Sequence, residues 1–246
     1  MPYEHNLPSI AQRIAALRWD ENQASLDVRG YAVAKQLLTA AECESVRAFY
    51  PDAERFRSRI VMDRYNFGRG EYQYFAYPLP PVVQALREAA YPQLASIANT
   101  WSERLASSTS PARIWPSALA ELTAQCSDAN QTRPTPLLLK YGAGDYNCLH
   151  QDLYGELVFP LQLVVLLDRP GVDFEGGQFV LTEQRPRMQS RVEVVPLERG
   201  DAVMFAVRER PVRGTRGDYR VQLRHGVSEL RSGERHTLGV IFHDAE

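Results

Sequence analysis

His150-Gln151-Asp152 places an imidazole and a carboxylate two positions apart, and a second imidazole, His225, follows 73 residues after Asp152. Two histidines and one carboxylate can occupy one face of iron(II) and leave the opposite face open. Arg235 stands ten residues beyond His225. A guanidinium there can hold the far carboxylate of an organic acid through a charge-assisted, bidentate pair while the acid fills two open positions. The chemistry expected of this set is oxygen activation. Other assignments compete. His236 and His243 are alternative second ligands, but no basic residue follows either. Arg224 is an alternative clamp, although strand alternation beside His225 sends it to the other face. Arg235 can instead pair at the surface with Glu234 or Glu229. Cys148 shares the facing of His150, either lining a pocket or packing as a core cysteine.

Such ligands need rigid strands to carry them. At a strand end, His150 and Asp152 point to one side and Gln151 to the other. Arg220 to His225 reads as a strand that can bring the second histidine from a neighbour. Residues 135–245 read as mostly extended: 136–141, 161–167, 178–181, 192–195, 202–205, 219–225 and 237–242, separated by Gly-, Pro- and Asp-containing turns. Short strands with such turns predict a jelly roll or barrel. Residues 1–130 read as mostly helical, apart from a short strand at Tyr31-Ala32-Val33. Ile10, Ile14 and Leu17 have helical spacing. Thr39 with Glu42 forms a capping-box pattern before a helix running to about Tyr50. A second helix is expected from Pro81 towards Leu105, bent at Pro92, then a loop from Ser107 to Pro111 and a shorter helix from Ser117 to Cys126. The class is α+β, mainly β, with a helical N-terminal region packed on the jelly-roll core in one domain spanning 1–246.

The chain has 246 residues, 44% hydrophobic and 24% charged, as in a soluble globular protein. No apolar run approaches the ~20 residues of a membrane span. Met1-Pro2-Tyr3-Glu4-His5 has neither a basic flank nor an apolar signal core, and the three cysteines are widely spaced. A reducing cytoplasm is therefore expected, with no obligate protein partner evident. Net charge is −2, so the whole chain is no polycation; of its 28 basic residues only Lys35 and Lys140 are lysines.

The segment from Lys140 and Tyr141 through Gly144 to His150-Gln151-Asp152 resembles that of prolyl-hydroxylase-like and AlkB-type iron(II)- and 2-oxoglutarate-dependent dioxygenases. Phe174-Glu175-Gly176-Gly177 resembles the Glu-Gly-Gly turn of the prolyl-hydroxylase-like members, and His225-Gly226-Val227 with Arg235 to Phe242 resembles their closing strand. The resemblance covers roughly Leu137 to Phe242. It departs from AlkB-type enzymes at Leu139, where those have asparagine, and in the arginines after the second histidine. It implies a double-stranded β-helix core and iron(II) held by His150, Asp152 and His225. It also implies 2-oxoglutarate contacted by Arg235 and Tyr141, with O2 as the other cosubstrate. The implied reaction hydroxylates a C–H bond and releases succinate and CO2.

Residues 55–77 interleave arginines and aromatics, among them Arg57, Arg59, Arg69, Tyr72 and Tyr74; Gly68 and Gly70 suggest a flexible substrate lid. Arg185, Arg187 and Arg191 form a second cluster. Arg208, Arg210, Arg213 and Arg216 form a third, expected in a loop. Arginines can meet phosphates and aromatic faces can stack on bases, although either feature also arises from surface ion pairing and from covering a barrel. Over the whole chain, the 69–80 and 183–191 stretches resemble a bacterial oxygenase family proposed to act oxidatively on damaged DNA. That resemblance implies oxidative dealkylation of damaged DNA bases. A protein or peptidyl hydroxylase and a small-molecule hydroxylase are the alternatives.

Overall fold

The computed structural model describes residues 7–107, 109, 111–215 and 217–246. The N-terminal pentapeptide, part of the expected 107–111 loop and Arg216 thus lie outside the described residues. The helices are α1 (Ile10–Ala15), α2 (Trp19–Arg29), α3 (Ala40–Arg47), α4 (Pro81–Arg104) and α5 (Leu119–Asp128). The early strands are β1 (Tyr31–Ala34), β2 (Phe56–Val61), β3 (Gly68–Arg69) and β4 (Glu71–Phe75). Then come β5 (Leu137–Gly142), β6 (Tyr146–His150), β7 (Leu161–Leu166), β8 (Phe174–Gly176) and β9 (Phe179–Gln184). The last are β10 (Arg191–Val195), β11 (Ala202–Ala206), β12 (Glu209–Gly214), β13 (Gly217–Val227) and β14 (Leu230–Val240).

Local chemistry sets the helix starts. Both arms of the Thr39–Glu42 capping box are formed, and Ser9 with Gln12 makes the same arrangement at α1. Helix α4 opens with Pro81 at its first turn, where the missing N–H costs nothing. It runs unbroken through Pro92, which lies on the exposed face. Its apolar row, including Leu86, Tyr91, Leu94 and Trp101, is buried.

The core is a jelly roll. One sheet has the order β11-β7-β14-β5 at its centre and the other β10-β9-β13-β6. The chain alternates between them, so strands close in space are far apart in sequence. Strand β7 shows why these residues form a central strand: all six are buried, on both faces. Leu161, Leu163 and Val165 pack with the helices, whereas Val164 and Leu166 join Phe179, Leu181, Val203 and Phe205 between the sheets.

Two expectations fail here. The arginine–aromatic segment is a hairpin, β2 with β4, hydrogen-bonded to β5 as an extension of the first sheet rather than a lid. Gly68 and Gly70 serve close approach, not flexibility: an added Cβ would lie 2.3 Å from the Tyr146 carbonyl oxygen and 2.9 Å from the Tyr141 ring. Arg210 and Arg213 likewise lie in no loop, because β12 pairs with β13, whereas Arg208 stands in the bend before β12. No described helix is long and apolar enough to cross a membrane.

Asp168, just past β7, ties this framework to β14. It accepts hydrogen bonds from the His236 backbone N–H, from His236 Nδ1 (2.9 Å) and from Arg47 (2.9 Å). Burial pushes its carboxyl up, but the His236 and Arg47 donors outweigh burial and hold it below its ordinary value. The stabilisation is therefore complete above the unfolded value of 3.8 and is lost as pH falls through the folded one. Asp168→Asn should cost about 3 kcal/mol at neutral pH, with the deficit shrinking below about pH 4. Thermal melts across pH check this; a deficit independent of pH would show that ionised Asp168 is not the stabilising partner.

Candidate active site

Strand β6 ends at His150, and the antiparallel register sets His225 of β13 directly opposite it. Asp152, two residues past the strand, turns in between them. Its Oδ1 lies 3.4 Å from His150 Nε2 and its Oδ2 3.3 Å from His225 Nε2. One donor atom from each residue falls within 4.8 Å of the others, a spacing that a single metal ion can bridge. Burial pushes the Asp152 carboxyl up, but hydrogen bonds and charge from His150 and His225 hold it well below the usual range. Burial and the neighbouring His150 push His225 down, which favours the neutral imidazole a metal requires. His150 is raised because Asp152 outweighs burial.

Supporting groups fix these ligands. His150 Nδ1 donates to the Cys148 carbonyl at 2.8 Å, which leaves Nε2 free to ligate. The Tyr154 hydroxyl donates to Asp152 Oδ1 at 2.8 Å. Phe179 and Phe205 flank the His225 ring. Sequence reasoning missed Tyr154: one tyrosine two positions after a carboxylate carries no distinguishing pattern.

Arg235 enters the same cavity, of about 310 Å³, from β14. It is 1% exposed, and its Nε and Nη1 have no hydrogen-bond partner. The guanidinium lies over the rings of Tyr141 (5.6 Å) and Phe174 (5.9 Å). Gly177 makes room for it: at φ +58° an added Cβ would lie 2.9 Å from Arg235 Cδ. Burial pushes the guanidinium pKa down, as expected for a cation without a counter-ion. Tyr141 is fully buried, and its hydroxyl accepts from Asn147 Nδ2 at 3.3 Å. An unpaired interior cation costs several kcal/mol. The donor set therefore fits a small carboxylic acid held at one end by Arg235 and Tyr141, and a divalent metal held at the other by the triad.

The competing assignments fall away. Glu234 pairs with Lys140, not Arg235. Arg224 is exposed and His236 donates to Asp168. His243 is buried, accepts from the Phe159 N–H, and is pushed down to about 4 by burial. Cys148 is exposed and lines the cavity, so it is not a core cysteine.

The residues expected to meet substrate scatter. Arg57 donates to the Pro134 carbonyl and covers Tyr74, which is buried. Arg59 pairs with Glu71 and Arg191 with Glu193. Arg210 is buried against Glu183 and the Asp27 carbonyl. Arg69 sits in a shallow groove with Lys140 and Gly142, on the face of β5 opposite Tyr141 and the cavity. Arg187 is exposed in the β9–β10 turn. Of the expected substrate residues, Tyr72 alone lines the cavity. Its exposed lining residues, Asn66, Phe67, Cys148 and Leu149, form the mouth. Phe67 lines it and stacks on Tyr65 at 5.5 Å and 21°, and both remain about half exposed (48% and 54%).

Comparisons agree with this geometry. A family model, Oxygenase-NA, described as "Oxygenase, catalysing oxidative methylation of damaged DNA", matches residues 70–245. An uncharacterized protein of Mycobacterium tuberculosis, found in two strains, is 45% identical over 213 residues, covering 84% of this chain and 90% of that protein. A Pseudomonas putida prolyl-4-hydroxylase superposes with a TM-score of 0.53 at 16% identity, covering 93% of this chain and 100% of that one. A 2OG-Fe(II) oxygenase-family oxidoreductase from Burkholderia pseudomallei gives 0.52 at 13%, covering 94% and 93%. At these identities the structural likeness is one of fold.

Removing the Tyr154 hydroxyl frees one oxygen of Asp152. Tyr154→Phe should lower iron(II) affinity about 10–100-fold, read by anaerobic metal titration. Unchanged affinity would show that this hydrogen bond does not orient the ligand.

Proposed function

The chain belongs to the Oxygenase-NA family, and we propose that it is an iron(II)- and 2-oxoglutarate-dependent oxygenase whose substrate is damaged DNA carrying an N-alkylated base. His150, Asp152 and His225 would hold iron(II), and Arg235 with Tyr141 would hold the distal carboxylate of 2-oxoglutarate. When bound, these groups and O2 supply the oxidation of a substrate C–H to C–OH, with succinate and CO2 as the other products. The observation that carries the cosubstrate assignment is the buried, unpaired Arg235 in one cavity with the triad. The chain's own residues orient the acid, keep its far end away from water, hold Asp152 ionised and favour the neutral form of His225. Hydroxylation of an N-alkyl carbon gives N–CH2–OH; this loses its hydroxyl proton and its C–N bond to leave N–H and an aldehyde.

The stacked Tyr65–Phe67 pair at the mouth, together with the description of the family, supports the DNA reading. Exposed aromatic faces stack on unpaired bases at about 1–3 kcal/mol per base. Two exposed arginines without a partner stand next in sequence to that pair or beside a cavity-lining residue. Arg64 precedes Tyr65. The Arg208 carbonyl accepts from Gln151, a cavity-lining residue. Such cations can meet the phosphates of a bound strand. The competing reading, a peptidyl hydroxylase, rests on fold alone.

Three outcomes test the proposal. Arg235→Ala should weaken 2-oxoglutarate binding by about 10–100-fold, the loss expected for a charge-assisted hydrogen bond, measured anaerobically on the iron-loaded protein. An effect confined to the primary substrate would refute the clamp. The double change Arg64→Glu and Arg208→Glu should weaken single-stranded DNA binding and flatten its salt dependence by about two units of slope. Arg59→Gln, on the Glu71-paired hairpin, should change neither. Succinate release driven by a proline-containing peptide, but by no methylated oligonucleotide, would replace DNA with protein as substrate.

A further inference from the structure

Gln162, the second residue of β7, is 3% exposed, and its Oε1 has no hydrogen-bond partner. Its neighbours Leu161 and Leu163 face the helices, while Gln162 shares the inward face with Val164 and lines the cavity. A buried carbonyl left without a donor costs about 1–3 kcal/mol. In a strand otherwise wholly apolar, leucine would fill this position without that cost.

The register locates Gln162 within the cavity. Along β14, Thr237 pairs with Leu166 and Gly239 with Val164. Arg235 therefore stands beyond Leu166, at the opposite end of β7 from Gln162. The Cα partner of Gln162 on β11 is Phe205, whose ring lies 4.7 Å from that of His225. Gln162 thus belongs to the metal end of the cavity, not to the clamp end. The cosubstrate cannot satisfy its Oε1, because carboxylate and keto oxygens are acceptors only. The remaining sources of a donor in the loaded enzyme are cavity water and the primary substrate.

We propose that Gln162 is the specificity residue that reads the target base, by accepting a hydrogen bond from an exocyclic amine. This rests on the DNA reading above and narrows it. Adenine and cytosine keep an amine N–H beside an alkylated ring nitrogen. A thymine methylated at N3 offers only carbonyl oxygens along the same edge. On adenine the glutamine carboxamide can also donate to N7, which alkylation at N1 leaves free as an acceptor. Gln162 therefore selects amino bases over keto bases.

The test measures binding of single-stranded oligonucleotides with one N-methylated adenine or one N3-methylated thymine. It uses the full chain loaded with iron(II) and 2-oxoglutarate under argon. The wild type should prefer the amino base about tenfold or more, the range of one good base contact. Gln162→Leu should bring that ratio close to one. Gln162→Glu, nearly isosteric and acceptor-only, should keep or widen it. Equal binding of both bases by the wild type, or a preference that survives in Gln162→Leu, overturns the assignment and leaves the DNA reading standing. Weaker 2-oxoglutarate binding in Gln162→Leu would place the amide on the acid and also overturn it. A wild type that binds neither methylated strand more tightly than an unmodified one overturns both readings.

Discussion

Arg235 carries a positive charge into the interior with no carboxylate in pairing distance among the described residues, and the surrounding architecture is arranged around that charge. Rings of Tyr141 and Phe174 present their faces to it, a contact of about 2 kcal/mol or more when desolvated. Gly177 leaves the space its side chain occupies. Asp168 grips the backbone of the next residue, His236, and so sets where β14 releases the arginine into the cavity. None of these contacts neutralises the guanidinium. A framework that holds a cation ready in this way tolerates an unfavourable free state in exchange for a strongly bound anion.

The other end of the cavity has the complementary problem. Asp152 stays ionised between two imidazoles, and its charge is useful only if a cation arrives. A divalent metal and a dicarboxylate dianion together add no net charge to this interior. Each places charge where the cavity already holds the opposite sign. Loading either one alone leaves an imbalance in a low-dielectric site, where Coulomb energies are large. The two ligands are therefore electrostatically coupled through the protein.

How much of this was legible in the sequence depended on the distance between partners. The triad could be read because His150 and Asp152 are neighbours and because Arg235 marks which histidine joins them. The Thr39 cap could be read because its partner is three residues away. The arginines could not. Arg59 finds Glu71 across a hairpin, and Arg210 finds Glu183 and the Asp27 carbonyl from remote elements, so runs that look free are neutralised. Strand β2 is half-buried along most of its length and lacks the alternation that marks a one-sided strand. Strand β12 contains Pro211, which reads as a breaker although its pairing with β13 accommodates it. Gln162 sits in an apolar run, where a single polar residue draws no notice until its missing partner is seen.

The main chain of one residue joins the cavity mouth to the metal ligands. The Cys148 N–H donates to the Phe67 carbonyl at 2.9 Å, and the Cys148 carbonyl accepts from His150 Nδ1 at 2.8 Å. Strand β3 adds a second tie, pairing Gly68 and Arg69 with Asn147 and Tyr146. The mouth is thus fastened by backbone hydrogen bonds to the strand that bears the first metal ligand. Backbone ladders hold position more tightly than side-chain contacts at a loop tip. A ring that stacks on Phe67 would stand at a depth fixed relative to His150, whatever its sequence context. In this arrangement the role of Cys148 is carried by its main chain, and its exposed thiol is incidental to the alignment.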